Sequence, residues 1–209
     1  MIDIFDDIKI DTKKIICHTG GADGSDTYWE NIGEEFGVKI RAYSYKTPSH
    51  TSSNKVEVSE SDYQEGIIQV NKANHWLNRF GIQKYMNLLA RNWCQIKYSS
   101  QVIAIGTIIR VGEKSKKGYY NRGKYDIVDG GTAWAVQMGI DNNKPIFVFD
   151  QIIDKWFRWS YTSMSFVESD CPKISVQNFS GIGTREILPN GIKAIRDVYN
   201  KTFNPISDI

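Results

Sequence analysis

Apolar positions along this chain fall in two rhythms: short runs bounded by glycine or polar turns, and longer stretches with helical spacing. Residues 14–18 hold Ile15, Ile16 and Cys17 side by side and predict a short buried strand. Over residues 24–36, Tyr28, Trp29, Ile32 and Phe36 recur at helical intervals. That predicts a helix capped by Asp23 or Ser25 and stopped at Gly37. Residues 38–45 alternate as the next strand. Residues 47–61, rich in Ser and Thr with a proline, have no period and predict an exposed connection with the composition of a mobile loop.

Helices are expected over residues 63–79 and 84–96, then a central strand over 100–105. Residues 107–129 form a long insertion. A short helix over 132–139 and a buried strand over 145–149 follow. The aromatic, alternating stretch 156–168 predicts a hairpin packed over the sheet edge, with Trp156 and Trp159 in the core. A last strand over 176–179 leads into a helix over 190–199. Strand, glycine loop, helix and strand in succession make a βαβ unit. The expected fold class is therefore α/β: a Rossmann-like three-layer sandwich with a mostly parallel sheet, one domain over residues 1–209.

Composition narrows the class. Of 209 residues, 41% are hydrophobic and 24% charged, a soluble globular balance. A net charge of +2 is too small to point to nucleic acid by itself. Cys17, Cys94 and Cys171 are widely spaced without a CxxC pair and read as reduced thiols; with the histidines they form no metal-ligand spacing. No metal and no cofactor are expected. Residues 1–10 are acidic and amphipathic rather than a leader, and no apolar run approaches ~18 residues. A cytoplasmic protein is the expectation.

Candidate chemistry lies in the glycine loops. Gly20, Gly21, Ala22, Asp23, Gly24, Ser25 and Asp26 follow the first strand; Asp129, Gly130, Gly131 and Thr132 open the fourth helix. A glycine pair between strand and helix lets backbone amides approach a phosphate or ribose. The bland alternative is a tight turn. Asp26 is expected to face a sugar hydroxyl or to order the loop. Asp129 is read either as a catalytic carboxylate at a strand's carboxyl end or as a polar residue closing the insertion. A third loop carries Gly181, Gly183, Thr184, Arg185 and Glu186, with Arg185 a phosphate contact and Glu186 an acid/base candidate, or else a structural elbow with a surface ion pair. Arg91 and Asn92 interrupt an apolar helix; the arginine is suited to grip a phosphate, and a surface position is the alternative. The insertion bears Arg110, Lys114, Lys116, Lys117, Arg122 and Lys124 among tyrosines, and reads as a lid or as a solvated loop. Cys17 is expected in the core and His18 lining a pocket.

In order, Gly20–Asp26, Leu89-Ala90-Arg91-Asn92, the strand Val102 to Ile105 and Gly130-Gly131-Thr132-Ala133 resemble the SLOG superfamily of Rossmann-like nucleotide-ligand-binding domains. That superfamily includes LOG phosphoribohydrolases and the DNA processing protein A domain. Gly181-Ile182-Gly183-Thr184-Arg185 is similar to the GIGSR loop of a phage and bacterial branch, where it usually begins the chain. Here it comes last, as in a circular permutant. The resemblance implies a nucleotide-like small-molecule partner, bound by a sensor or sequestering protein or cleaved by an N-glycosidic hydrolase or transferase. Asp26, Asp129 or Glu186 would then be catalytic, because the glutamate position of LOG enzymes falls on Gln137, which cannot serve as that carboxylate. The alternative implied is single-stranded nucleic-acid binding. A homodimer is compatible with the resemblance, and no membrane partner is expected.

Overall fold

The computed structural model describes residues 11–47, 50–116 and 118–204. The acidic segment 1–10, Pro48 and Ser49 of the connection and Lys117 of the insertion lie outside them. The elements run β1 (Ile16–Thr19), α1 (Ser25–Glu35), β2 (Lys39–Ser44), β3 (Lys55–Glu57), α2 (Glu60–Leu77), α3 (Met86–Lys97), β4 (Gln101–Gly106) and β5 (Ile108–Ile109). They continue with β6 (Ile127–Val128), α4 (Thr132–Asp141), β7 (Ile146–Asp150), β8 (Lys155–Ser160), β9 (Ser165–Ser169), β10 (Asn178–Gly183) and α5 (Pro189–Phe203). Short 3-10 turns occupy Thr12–Lys14 and Ile82–Tyr85.

Eight strands form one sheet in the order β3-β2-β1-β10-β4-β7-β8-β9. All pairs from β3 to β7 are parallel, and the pairs β7–β8 and β8–β9 are antiparallel, so β8 alone is reversed in this sheet. The last strand in sequence, β10, therefore sits at the centre between β1 and β4. Helices α1 and α5 pack together against one face; α3 and α4 cover the other, with α2 outside them. The protein is an α/β, Rossmann-like three-layer sandwich.

The central strand shows why the sheet needs both layers. In β4, Val102 and Ala104 join the core beneath α2, α3 and α4, while Ile103 and Ile105 join the core beneath α1 and α5. All four are fully buried. Side chains on a strand alternate between faces, so a run apolar at every position requires cover on both sides. Each isoleucine so buried contributes about 1.5–3 kcal/mol relative to exposure. Trp29 ties the second core together: its Nε1 donates to Ile182 O on β10 at 3.1 Å, and the Tyr199 hydroxyl of α5 donates to Trp29 O at 3.0 Å.

Several expectations need correction. The first helix is capped by Gly24 rather than Asp23 or Ser25, with no side-chain cap. Strand β3 and the start of α2 fall within residues 47–61, which the composition presents as a bare connection. The aromatic hairpin does not lie over the sheet edge; β8 and β9 extend the sheet beyond β7, with Trp156 and Trp159 buried in it. Beside that new edge stands the insertion. Asp126 Oδ2 accepts from Phe166 N, and Arg110 Nη1 donates to Phe166 O at 2.6 Å. An edge strand with satisfied backbone groups is a poor template for further pairing. Among the described residues, no helix is long and apolar enough to cross a membrane.

Candidate functional site

Because β1, β10 and β4 are parallel neighbours, the loops that follow them leave from one edge of the sheet. Ligands of open α/β sheets sit at such carboxyl ends. The first and third glycine loops are joined there. Ser25 donates to Thr184 O through both its amide, at 3.0 Å, and its hydroxyl, at 2.8 Å. Gly24 has φ 95°, and a Cβ on it would lie 2.4 Å from Arg185 O. A Cβ on Gly183 would lie 2.5 Å from Ile105 O. Both glycines are thus required by close backbone crossings within the protein.

A cavity of about 560 Å³ opens over these loops. Ala22, Asp26, Arg91 and Asn92 line one side, Gly130, Gly131 and Thr132 another, and Gly183, Thr184, Arg185 and Glu186 a third. All three glycine loops and the α3 arginine therefore converge. Asp26 and Arg91 are nearly solvent-shielded, with Arg91 Nη2 4.0 Å from Asp26 Oδ2. Ala22 N donates to the same carboxylate oxygen at 3.4 Å, so the anion held by the first loop is the protein's own. Burial raises the Asp26 pKa from 3.8 to about 6, although Arg91 and the Ala22 amide act to lower it. Burial also lowers the pKa of Arg91, and Arg185 adds to that shift by repulsion. Beneath the loop, the Gln95 amide oxygen, in the orientation that satisfies both donors, accepts from Arg91 Nη1 at 2.5 Å and Gly20 N at 2.7 Å.

The second glycine pair differs from the first. Gly130 has φ 68° and its amide bonds to Asp129 Oδ1 at 2.7 Å. Gly131, the N-cap of α4, has ordinary helical angles, φ −67° and ψ −25°. A Cβ placed on either would meet nothing within 4 Å. Neither conformation nor packing demands a glycine at 131; the first-turn amides of a helix have no intrahelical acceptors, and of those in α4 the Ala133 amide bonds back to Gly130 O at 3.4 Å. Arg79, from the turn after α2, holds this loop from behind: Nη1 donates to Gly130 O at 2.7 Å and Nη2 to Val128 O at 3.1 Å. Its guanidinium lies over the rings of Tyr119 and Trp134.

A second cavity of about 570 Å³ adjoins the first across a wall of Ala22, Tyr85, Leu88, Arg91 and Arg185. Gly20, Gly21 and Asp23 line it, with Lys46, His50 and Lys84. Gly21, at φ 59°, is roofed by His50, whose Nε2 would lie 2.2 Å from an added Cβ. The segment bearing His50 is pinned to α1 by Glu30, which accepts from Ser52 Oγ and from Asn54 Nδ2.

Other predicted residues stand elsewhere. Ser25 is fully buried with its hydroxyl engaged, Gly24 packs against Arg185, and a Cβ on Gly181 would meet Trp29 at 2.6 Å, so none of the three faces either cavity. Asp129 lines neither cavity and holds the Gly130 amide. Gln137 also lies off the site, its Nε2 donating to Asp141 Oδ1 at 2.9 Å. His18 is not pocket-lining: it is buried between Tyr43 OH and Asn178 Oδ1, at 2.9 and 3.0 Å. From the insertion, no described residue between Thr107 and Asp129 lines either of these two cavities; Arg110 is paired with Asp126 at 2.6 Å. Sequence reasoning missed Arg79, Phe80, Tyr85, Gln95 and His50. The left-handed Asn78 and Gly81 that bracket Arg79 and Phe80 were the available signal. Among the described residues, no cluster of His, Cys, Asp and Glu is arranged to hold a metal ion.

Comparison with known protein families, curated proteins and solved structures finds no match to this chain.

Proposed function

We propose that this protein binds a nucleotide or nucleotide-derived small molecule in the cavity at the carboxyl ends of β1, β10 and β4. The observation that carries the reading is Gly131. A glycine with helical angles and open space before it is explained by an occupant that must approach the α4 amides closely. Arg91 and Arg185 supply positive charge on the opposite wall, and Thr132 adds a hydroxyl. Membership of the SLOG superfamily, with its loops circularly permuted, is part of this proposal. The central position of β10 between β1 and β4 suits a permutation in which the usual first strand comes last.

A second reading, cleavage or transfer at an N-glycosidic bond, is favoured by Asp26. A carboxyl raised to about 6 beside the cavity both gives and takes a proton near neutrality. Glu186 lines the same cavity; Asp129 does not. Single-stranded nucleic acid is the weaker partner, because the basic insertion stands apart from the cavity and Arg110 is committed to Asp126.

Titration with nucleoside monophosphates and with single-stranded oligonucleotides, each at two salt concentrations, tests the assignment. Saturable mononucleotide binding with a shallow salt dependence supports it; oligonucleotide binding alone, with a steep salt slope, replaces it. Catalytic release of free base from a bound nucleotide would select the hydrolase reading. Recovery of intact ligand after long incubation would select the binder.

A further inference from the structure

Beyond one nucleotide in one cavity, the site has a second compartment of equal size. Each of the two cavities, about 560 and 570 Å³, is large enough for a small-molecule moiety of its own. They meet at a wall that carries two guanidinium groups, Arg91 and Arg185. We propose that the ligand is two-lobed, a dinucleotide-type molecule with one nucleoside in each cavity and its linking phosphates resting on Arg91 and Arg185. The inference rests on the nucleotide reading above and specifies the class of molecule.

The charge distribution favours phosphates at the junction. Arg91 is buried and Arg185 is exposed; burial chiefly, and repulsion from Arg185 in addition, weakens Arg91's hold on its proton. Asp26 is the carboxylate nearest Arg91, and burial pushes it toward its neutral form. Two linked phosphates on that wall would balance both guanidiniums, and arginine is the side chain whose paired donors match phosphate oxygens.

Each compartment also has its own means of holding a nucleoside. In the first, Phe80 is 91% exposed at the cavity, an aromatic face without cover among the described residues. A purine or pyrimidine ring stacked on it would bury that surface. In the second, Lys84 lies over the exposed Tyr85 ring, with its nitrogen 4.9 Å from the centroid. His50 lines the same cavity, its ring packed over Gly21. The remaining cation, Lys46, is paired with Glu60 at 3.3 Å and does not contribute.

Linking two moieties turns the second contact into an intramolecular one, which increases affinity without new contacts. Isothermal titration calorimetry with the four nucleoside monophosphates and their symmetric dinucleoside pyrophosphates reads this directly. The expected result is two monophosphates but one dinucleoside pyrophosphate per chain, with the linked ligand bound ~100-fold more tightly. Lys84→Glu, exposed and outside the core, is expected to lower that preference about tenfold with an unchanged unfolding midpoint. A single monophosphate per chain, with the linked ligand bound no more tightly, overturns the two-lobed ligand and leaves the nucleotide reading standing. No binding of any of the eight compounds overturns both. An unaltered preference in folded Lys84→Glu removes the second compartment from the site.

Discussion

Arg91 Nη2 lies 4.0 Å from Asp26 Oδ2, with both side chains shielded from solvent and Arg185 pressing on the arginine from the cavity side. At that separation the pair interacts without a direct hydrogen bond, so its attraction does not cancel the cost of burying the carboxylate. The folded-state pKa of Asp26, about 6, therefore stands above its ordinary 3.8. A raised carboxyl pKa means that the penalty on the charged form is complete above the folded value and is relieved as pH falls toward the unfolded one. Asp26→Asn lacks this contribution. Its stability relative to the unsubstituted protein should fall by about 1 kcal/mol between about pH 7.5 and about pH 5.0, measured by urea unfolding at each pH. His18 and His50, both lowered by burial, titrate in both proteins and cancel in the difference, while Glu30 is one of the lesser causes of the Asp26 shift and belongs to the difference. A constant difference across that window would falsify the buried, strained carboxylate.

The glycines of the loops should separate into two kinds on substitution. Gly24→Ala forces a side chain into φ 95° and against Arg185 O, and should destabilise by at least about 2 kcal/mol. Gly131→Val meets open space at ordinary angles and should keep its unfolding midpoint within the range of a surface change, about 0.5 kcal/mol. The valine would nonetheless project into the cavity where the nucleotide approaches α4, so nucleotide affinity should drop ~100-fold or more. Thermal unfolding with and without ligand distinguishes the two. Full ligand protection in folded Gly131→Val would remove the second glycine pair from the site.

The βαβ opening was legible because Trp29 and Ile32 repeat at helical spacing beside a short apolar run, and both are buried where that period places them. Strand β3 was not legible: Lys55, Val56 and Glu57 are an edge strand with one apolar residue, and only pairing with β2 defines it. The hairpin β8–β9 had the right period, but alternation does not say which strand it will pair with. Within the site, Gly130 to Thr132 could be found because glycine before a helix has a mechanism attached to it. Arg79 could not. Its contacts with Val128 and Gly130 span 49 and 51 residues, and a lone arginine after a helix carries no local signature. Ser25 misled for the opposite reason: its type suits a cap or ligand contact, while the fold gives its hydroxyl to Thr184 O.

The insertion should behave as part of the fold's edge rather than as a moving cover. Asp126 is nearly buried and accepts from Arg110 Nη1, Phe166 N and Val111 N. Asp126→Ala leaves the Phe166 and Val111 amides without that acceptor and Arg110, which still donates to Phe166 O, without its counter-ion. A destabilisation of about 1–3 kcal/mol is expected, chiefly from the buried Phe166 amide left without an acceptor, because the Arg110 side chain is itself partly exposed and water screens its lost charge partner. Because described residues of the insertion line neither cavity, nucleotide affinity of the folded variant should stay within about twofold, well under 1 kcal/mol. A large loss of affinity with little loss of stability would instead make the insertion a lid.

Arg79 should act on affinity through the loop it holds. Its two donors fix the carbonyls of Val128 and Gly130, and so the path of the backbone that leads into the cavity-lining residues Gly130, Gly131 and Thr132. Arg79→Ala frees both carbonyls and removes the stacking on Tyr119 and Trp134, at a stability cost of about 1–3 kcal/mol. Affinity should fall about tenfold. Arg79→Lys keeps the charge and has donors enough for two carbonyls, but it presents a compact point charge on a flexible stem rather than a planar fork, so it does not hold Val128 O and Gly130 O in the arginine's fixed geometry. It should restore most of the stability and little of the affinity. A purely electrostatic role for Arg79 predicts the reverse, with lysine restoring affinity in full, and titration calorimetry on the two variants decides between them.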